Sequence, residues 1–291
     1  MKTLTQILLE EQSRHHSFSV SDTDLSNDIQ RSWLNTQTTD AWRHNRMRSG
    51  IEALVSSNDK WLTVGDCRFA SDAVWLKSHG ASVSASDIQD VSLKHAHELG
   101  LIDDYKILNM ESLNIEDDAY DYIFCKESLH HLSRPYLGIY EMIRCARKGV
   151  ILIEPTGRSP LNVYGQMTFA LKNLISRRNI FFEESGNYVF ELKKFDIEQI
   201  LLSLGISRFS YRYLNDDYVE GVEEEYMGLI YKHIQKRIFL KDLRDILFQW
   251  TKGMIVVVIH ANEVDYSSIS TLHQFGFKTV TLAQSPLINN V

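Results

Sequence analysis

Between residues 60 and 155, short apolar runs alternate with segments of helical length, and few folds accept that order. Trp61–Val64 reads as a buried strand ended by Gly65, and Ser71–His79 as a helix ended by Gly80. Ala81–Ser86 reads as a second strand, Val91–Leu99 as a second helix closed by Gly100, and Tyr105–Leu108 as a third strand. Tyr120–Cys125, a helix over Pro135–Cys145 and Val150–Ile153 continue the series. The strands are continuous apolar runs rather than alternating ones, as expected where helices cover both faces of a parallel sheet. Right-handed crossovers then connect them.

The flanks differ. Residues 1–58 lack strand-like runs and carry helical spacing in pieces (Ile29, Trp33, Trp42, Met47), which predicts a helical N-terminal extension or cap. Residues 59–291 form the sheet domain, interrupted at 156–200 and again by a charged helical insertion at 215–253. A helix over 196–204, strands over 207–213 and 254–260, and a last helix before a candidate strand at 278–282 complete the reading.

Composition excludes several classes. A net charge of −7 provides no global basic field for nucleic-acid phosphates, although Arg43–Arg48 is a local patch able to hold one anion. Three cysteines without CxxC spacing argue against a disulfide framework or structural zinc, and no His/Asp/Glu cluster has ligand spacing, so no metal is expected. No run is long enough to span a bilayer, and Glu10 and Glu11 break the apolar start. The expectation is a cytoplasmic protein, with a homodimer left open.

The first strand runs into Gly65-Asp66-Cys67-Arg68-Phe69-Ala70-Ser71-Asp72. A strand–turn–helix with small residues lets backbone N–H groups approach a ligand at a helix N-terminus. Asp87 closes the second strand 22 residues after Gly65, where a carboxylate can accept bonds from both hydroxyls of a nucleoside ribose. Alternatively, Gly65 makes a tight turn and Asp87 caps the next helix.

The segments WLTVGDCRFASDAVWL, SVSASDI, ILNMESLNIEDDAYDYIFCKESLHHL and ARKGVILIEP, in that order, resemble class I S-adenosylmethionine-dependent methyltransferases of the methyltransferase-11 type. The resemblance implies a Rossmann-like α/β fold with a seven-stranded, mostly parallel sheet and S-adenosylmethionine as cofactor. It places Gly65, Asp66 and Cys67 under the methionine part and Asp87, followed by Ile88, at the ribose. It puts Asn109 and Met110 at the adenine, and Lys126 to Leu129 along the methyl-transfer pocket. The chain departs from the family pattern at Thr63, where an acid is usual, and at Cys67 and Ala70, where glycines are usual. Asp66 and Asp72 are candidates to replace the missing carboxylate. A weaker resemblance of FEESGNYVFELKKFDIEQILLSLGI and LNDDYVEGVEEE to methyltransferases of bacterial surface-polysaccharide or glycan biosynthesis implies a sugar or other small polar acceptor.

Transfer to an alcohol needs a base, and His130 and His131 follow the fourth strand at the sheet edge where open α/β sheets place ligands. His131 is the first candidate, with His130 and Glu154 behind it. For the acceptor, Arg46 in the Trp42–Arg46 cluster suits an anion, whereas Tyr188, Asn215 and Asp216 offer the aromatic, amide and carboxylate groups of sugar sites. A solvated helix face and turn chemistry explain these clusters as well. Two functions stand: an O-methyltransferase, and a degenerate non-catalytic relative that binds or regulates a partner.

Overall fold

The computed structural model describes residues 35–157, 161–175, 188–223, 226–261 and 266–284. The expected extension is thus described only from residue 35, and the 156–200 segment only in part. Eight strands form one sheet: β1 (Lys60–Val64), β2 (Ser82–Asp87), β3 (Tyr105–Ile107), β4 (Tyr120–Lys126), β5 (Ala146–Pro155), β6 (Arg208–Leu214), β7 (Met254–His260) and β8 (Lys278–Thr281). Their order is β3-β2-β1-β4-β5-β7-β6-β8. The first five strands pair in parallel. β7 lies antiparallel between β5 and β6, and β8 antiparallel on β6.

The expectation of seven strands is corrected to eight. Lys278–Thr281 pairs with Arg208–Tyr211 and extends the sheet beyond β6. β5 also begins earlier than its apolar run: Arg147 and Lys148 lie at a register shift between the Tyr120–Ala146 and Tyr122–Gly149 pairs and reach Asp121 and Asp59 at 2.6 and 2.5 Å. Polar side chains at the strand's solvent end hide it from a hydrophobicity reading.

Helices α1 (Thr39–Arg48), α2 (Ser71–Ser78), α3 (Val91–Glu98), α4 (Pro135–Cys145), α5 (Val163–Ile175), α6 (Lys194–Leu204), α7 (Leu229–Leu247) and α8 (Tyr266–Gln274) connect the strands or flank them. Strand alternation sorts the core into two layers. Leu62, Ile123, Val150, Leu152, Ile255 and Val257 pack with Ile139 and Met142 of α4 and Ile197 and Leu201 of α6. Trp61, Phe124, Ile151, Ile153, Val256 and Val258 pack on the other face with Met47 of α1, Leu76 of α2 and Leu272 of α8. A third cluster between α2 and α3 holds Phe69, Ala70, Ala73, Leu93 and Ala96.

The sheet centre therefore carries the stability. Ile151→Ala, fully buried on β5, is expected to cost about 2–5 kcal/mol. Thr281→Ala, exposed on β8, should stay within about 0.5 kcal/mol. Urea unfolding midpoints read the difference.

Candidate functional site

The parallel strands β1, β4 and β5 end together, and the turns after β1 and β4 build one cleft. It encloses about 230 Å³ between the turn after β1 (Gly65, Cys67, Arg68) and the turn after β4 (Lys126, Glu127, His130, His131).

Gly65 takes a left-handed backbone, φ +70°. A Cβ there would stand 2.4 Å from Ser128 Cβ and 2.5 Å from its Oγ. The absent side chain makes room for Ser128, whose hydroxyl donates to the Gly65 carbonyl at 2.7 Å and locks the two turns together. Phe69 and Ala70 are also left-handed, at φ 51° and 54°, in the stretch where the family pattern has glycines. That strain is held by burial, since Phe69 turns into the α2–α3 cluster, away from the cleft wall.

Asp66 holds the start of α2. Its carboxylate accepts from the Asp72 and Ala73 N–H groups at 3.1 and 2.9 Å and from the Thr63 hydroxyl at 2.9 Å. Thr63, where the family pattern has an acid, serves here as a donor to Asp66. Burial and the neighbouring Asp72 charge push Asp66 up to about 7. Asp72 is engaged by Arg48 of α1, Nε 2.8 Å from Oδ1, and lies 3.7 Å from Lys126 Nζ. Neither carboxylate stands as an unengaged replacement for the one missing at 63. Cys67 is a half-buried wall residue whose thiol is pushed up to about 12, by burial first and the Asp87 charge second, so it stays protonated.

Asp87 is buried at the end of β2. Val64 pairs with Ser86, so Asp87 stands level with Gly65 in the ladder. Ile88 follows it, half-buried. Asn109 lies beyond β3 and accepts from the Glu111 N–H at 2.9 Å. Met110 points into the core, its sulfur 3.9 Å from Cys125 Sγ.

The turn after β4 is organised from β5. Glu154 is fully buried and accepts from the Ser128 and Leu129 N–H groups at 3.0 and 2.9 Å. His130 Nδ1 stands 2.7 Å from Glu154 Oε2. Glu154, with no exposed side-chain surface, is the partner that orients His130. His130 and His131 both line the cleft, with ring centroids 3.9 Å apart. The Phe190 N–H donates to the His130 carbonyl at 3.2 Å, which ties the segment beyond Tyr188 to the same edge, with Tyr188 exposed.

Charges from α1 surround the rim. Burial alone would raise Glu127, but Lys126, Arg68 and Arg43 override it and hold its carboxyl at about 2. His44, 3.8 Å from Glu127, is kept well below its ordinary value by burial and then by Lys126, Arg48, Arg68 and Arg43, so it is neutral at pH 7. The Arg43–Arg48 patch is corrected from an anion site to internal pairing, because Arg43 binds Asp40 and Asp216 and Arg48 binds Asp72.

The structure does not bring Arg46, Asn215 and Asp216 to the cleft wall. Asn215 is buried, donating to Asp242 and Asp245 at 3.1 and 2.8 Å and accepting from the Gly253 N–H at 3.0 Å. Asp216 accepts from Arg43, and Arg46 donates to the Asn215 carbonyl at 3.1 Å while stacking on Trp42. These residues clamp α1 and α7 onto the end of β6. The Asp66 cap, the Ser128–Gly65 lock and the Arg48–Asp72 tie had no signature in sequence spacing. Among the described residues, no group of His, Cys, Asp or Glu could hold a metal ion.

Residues 62–153 match the family model described as a methyltransferase domain. Among curated proteins no sequence relative is found. Among solved structures the chain is similar to the YcgJ protein of Bacillus subtilis, with TM-score 0.51 and 16% identity over 76% of this chain and 99% of that one. It is also similar to phosphoethanolamine N-methyltransferase 2 of Haemonchus contortus, at TM-score 0.44 and 11% identity over 79% and 59% of the two chains.

Two outcomes test the geometry. Gly65→Ala should cost about 2–3 kcal/mol, combining left-handed strain with the Ser128 clash, and adding Ser128→Gly should recover part of it. Denaturant unfolding of the single and double variants reads this. For Asp66, the folded carboxyl sits near 7 against an ordinary 3.8. Its contribution is complete below about pH 4 and fades as pH rises through about 7. Asp66→Asn should flatten that part of the stability–pH curve. Residues 62–153 thus match the methyltransferase-domain family, and the sheet around them has the Rossmann-like form.

Proposed function

We propose that this protein is an S-adenosylmethionine-dependent methyltransferase that methylates a hydroxyl of a sugar or other small polar acceptor. The observation that carries the reading is the Glu154–His130 pair on the wall of a polar cleft at the end of β4, inside the segment matching the methyltransferase-domain family.

The residues present fit the cofactor. Asp87, buried at the end of β2 beside Gly65, would accept from the ribose hydroxyls. Asn109 and Ile88 flank that position as candidates for the adenine, with Met110 behind them in the core. The wall from Gly65 to Cys67 backs the methionine part, with Lys126 and Arg68 as partners for its carboxylate and Glu127 for its amino group. When bound, S-adenosylmethionine supplies an electrophilic methyl group on a sulfonium.

The chain's own groups then handle the acceptor proton. With Nδ1–H donated to the Glu154 carboxylate, His130 presents Nε2 as the proton acceptor. His130 would take up the acceptor's hydroxyl proton as the methyl group is transferred. Glu154 stabilises the resulting imidazolium. His131, its ring tilted 45° to that of His130 with centroids 3.9 Å apart, stays as the second candidate. Exposed Tyr188 offers a ring face for the acceptor.

Calorimetric titration with S-adenosylhomocysteine tests the cofactor reading. Saturable binding is expected, weakened about tenfold or more in Asp87→Ala. No binding at millimolar ligand contradicts it and favours a non-catalytic fold. Transfer of labelled methyl to a panel of hydroxylated acceptors tests the base. His130→Ala should lose about 10²–10⁴ in turnover with S-adenosylhomocysteine affinity retained, and full turnover in that variant removes His130 from the role.

A further inference from the structure

Two helices that leave the cleft's edge of the sheet show apolar side chains to solvent. β5 ends at Pro155 and leads to α5, while α7 leads into β7, whose Met254 pairs with Pro155. The helices are joined there. The Trp250 indole N–H donates to the Gly165 carbonyl and the Thr168 hydroxyl at 3.3 and 3.1 Å, and the Leu161 N–H donates to the Gln249 carbonyl at 2.7 Å.

α5 exposes Val163, Met167 and Leu171 at 71, 68 and 60%, spaced four residues apart on one stripe. α7 buries Tyr231, Ile234, Ile238 and Asp245 on one side. Opposite them its C-terminal half exposes Phe239, Leu243, Ile246 and Leu247. A soluble monomer rarely leaves apolar residues so concentrated without a partner.

Charge selects the partner. The whole chain is −7. α7 carries five cations against Asp242 and Asp245, and Asp245 is buried. Lys232 and Lys236 are exposed on the side of Leu243. Two copies meeting through this face would set Lys232 and Lys236 of one copy against those of the other. An anionic bilayer surface instead receives the apolar stripe among its acyl chains and the lysines among its headgroups.

We propose that α5 and α7 dock this protein onto an anionic lipid surface, lying in the interface plane with the cleft's edge of the sheet toward the headgroups. Among the described residues no helix is long and apolar enough to cross a membrane, so the attachment is peripheral and reversible. The proposal stands apart from the methyl-transfer reading, and either can fail alone.

Cosedimentation of the full chain with vesicles tests it, using phosphatidylcholine alone or phosphatidylcholine doped with phosphatidylglycerol, at low and high salt. Binding to the doped vesicles is expected to exceed binding to the neutral ones by about tenfold, and to fall at high salt. Met167→Glu with Leu243→Glu, and separately Lys232→Glu with Lys236→Glu, should each reduce it by about tenfold, with thermal unfolding and S-adenosylhomocysteine binding unchanged. Failure to sediment with either vesicle overturns the proposal, as does undiminished binding of both double variants. A wild-type dimer in analytical ultracentrifugation that Met167→Glu with Leu243→Glu dissociates also overturns it, assigning the face to a second copy.

Discussion

A single carboxylate with no exposed surface organises the site. Glu154 ends β5 on the face shared with Val150 and Leu152, where an unpartnered charge would be prohibitively costly. The Ser128 and Leu129 N–H groups and the His130 ring supply its partners, all from the turn that follows β4. Meeting that demand shapes the turn. It sends His130 to the cleft wall and brings Ser128 against Gly65. The parallel pairing of β4 with β5 and of β1 with β4 sets all three strand ends at one level, so the arrangement follows from sheet register.

The second constraint is electrostatic. α1 lies against the turns after β1 and β4 with Arg43, His44 and Arg48 buried. Arg43 pairs with Asp216 after β6 and Arg48 with Asp72 at the start of α2, while neutral His44 lies 3.8 Å from Glu127 after β4. The two arginine pairs join the N-terminal helix to separate parts of the chain, and removing one member would leave its partner charged in a dry environment. Pairing also leaves the rim close to neutral, which suits a cationic cofactor better than the basic patch in the sequence suggests.

The parallel half of the fold was legible because its strands are short apolar runs closed by Gly65, Asp87 and Glu154, and its helices stop at glycines. The segment that becomes β8 was read as a candidate strand at 278–282, although the expected total of seven fell one short. The start of β5 was hidden by Arg147 and Lys148, whose side chains leave the sheet for Asp121 and Asp59. In the site, Asp87 and the histidines stood out because strand ends carry them. Asn215 and Asp216 misled, since a buried amide holding three partners and a surface sugar-binding amide have the same sequence. The sequence put His131 ahead of His130, whereas the contact with Glu154 is made by His130.

The central claim is that the cleft between Gly65 and His130 holds a nucleoside cofactor gripped from β2. A crystal structure of the protein with S-adenosylhomocysteine tests it most directly. The account predicts the ribose hydroxyls within hydrogen-bond distance of the Asp87 carboxylate and the sulfur facing His130. A ligand bound elsewhere, or a saturated crystal whose Gly65–His130 cleft holds only water, would contradict it.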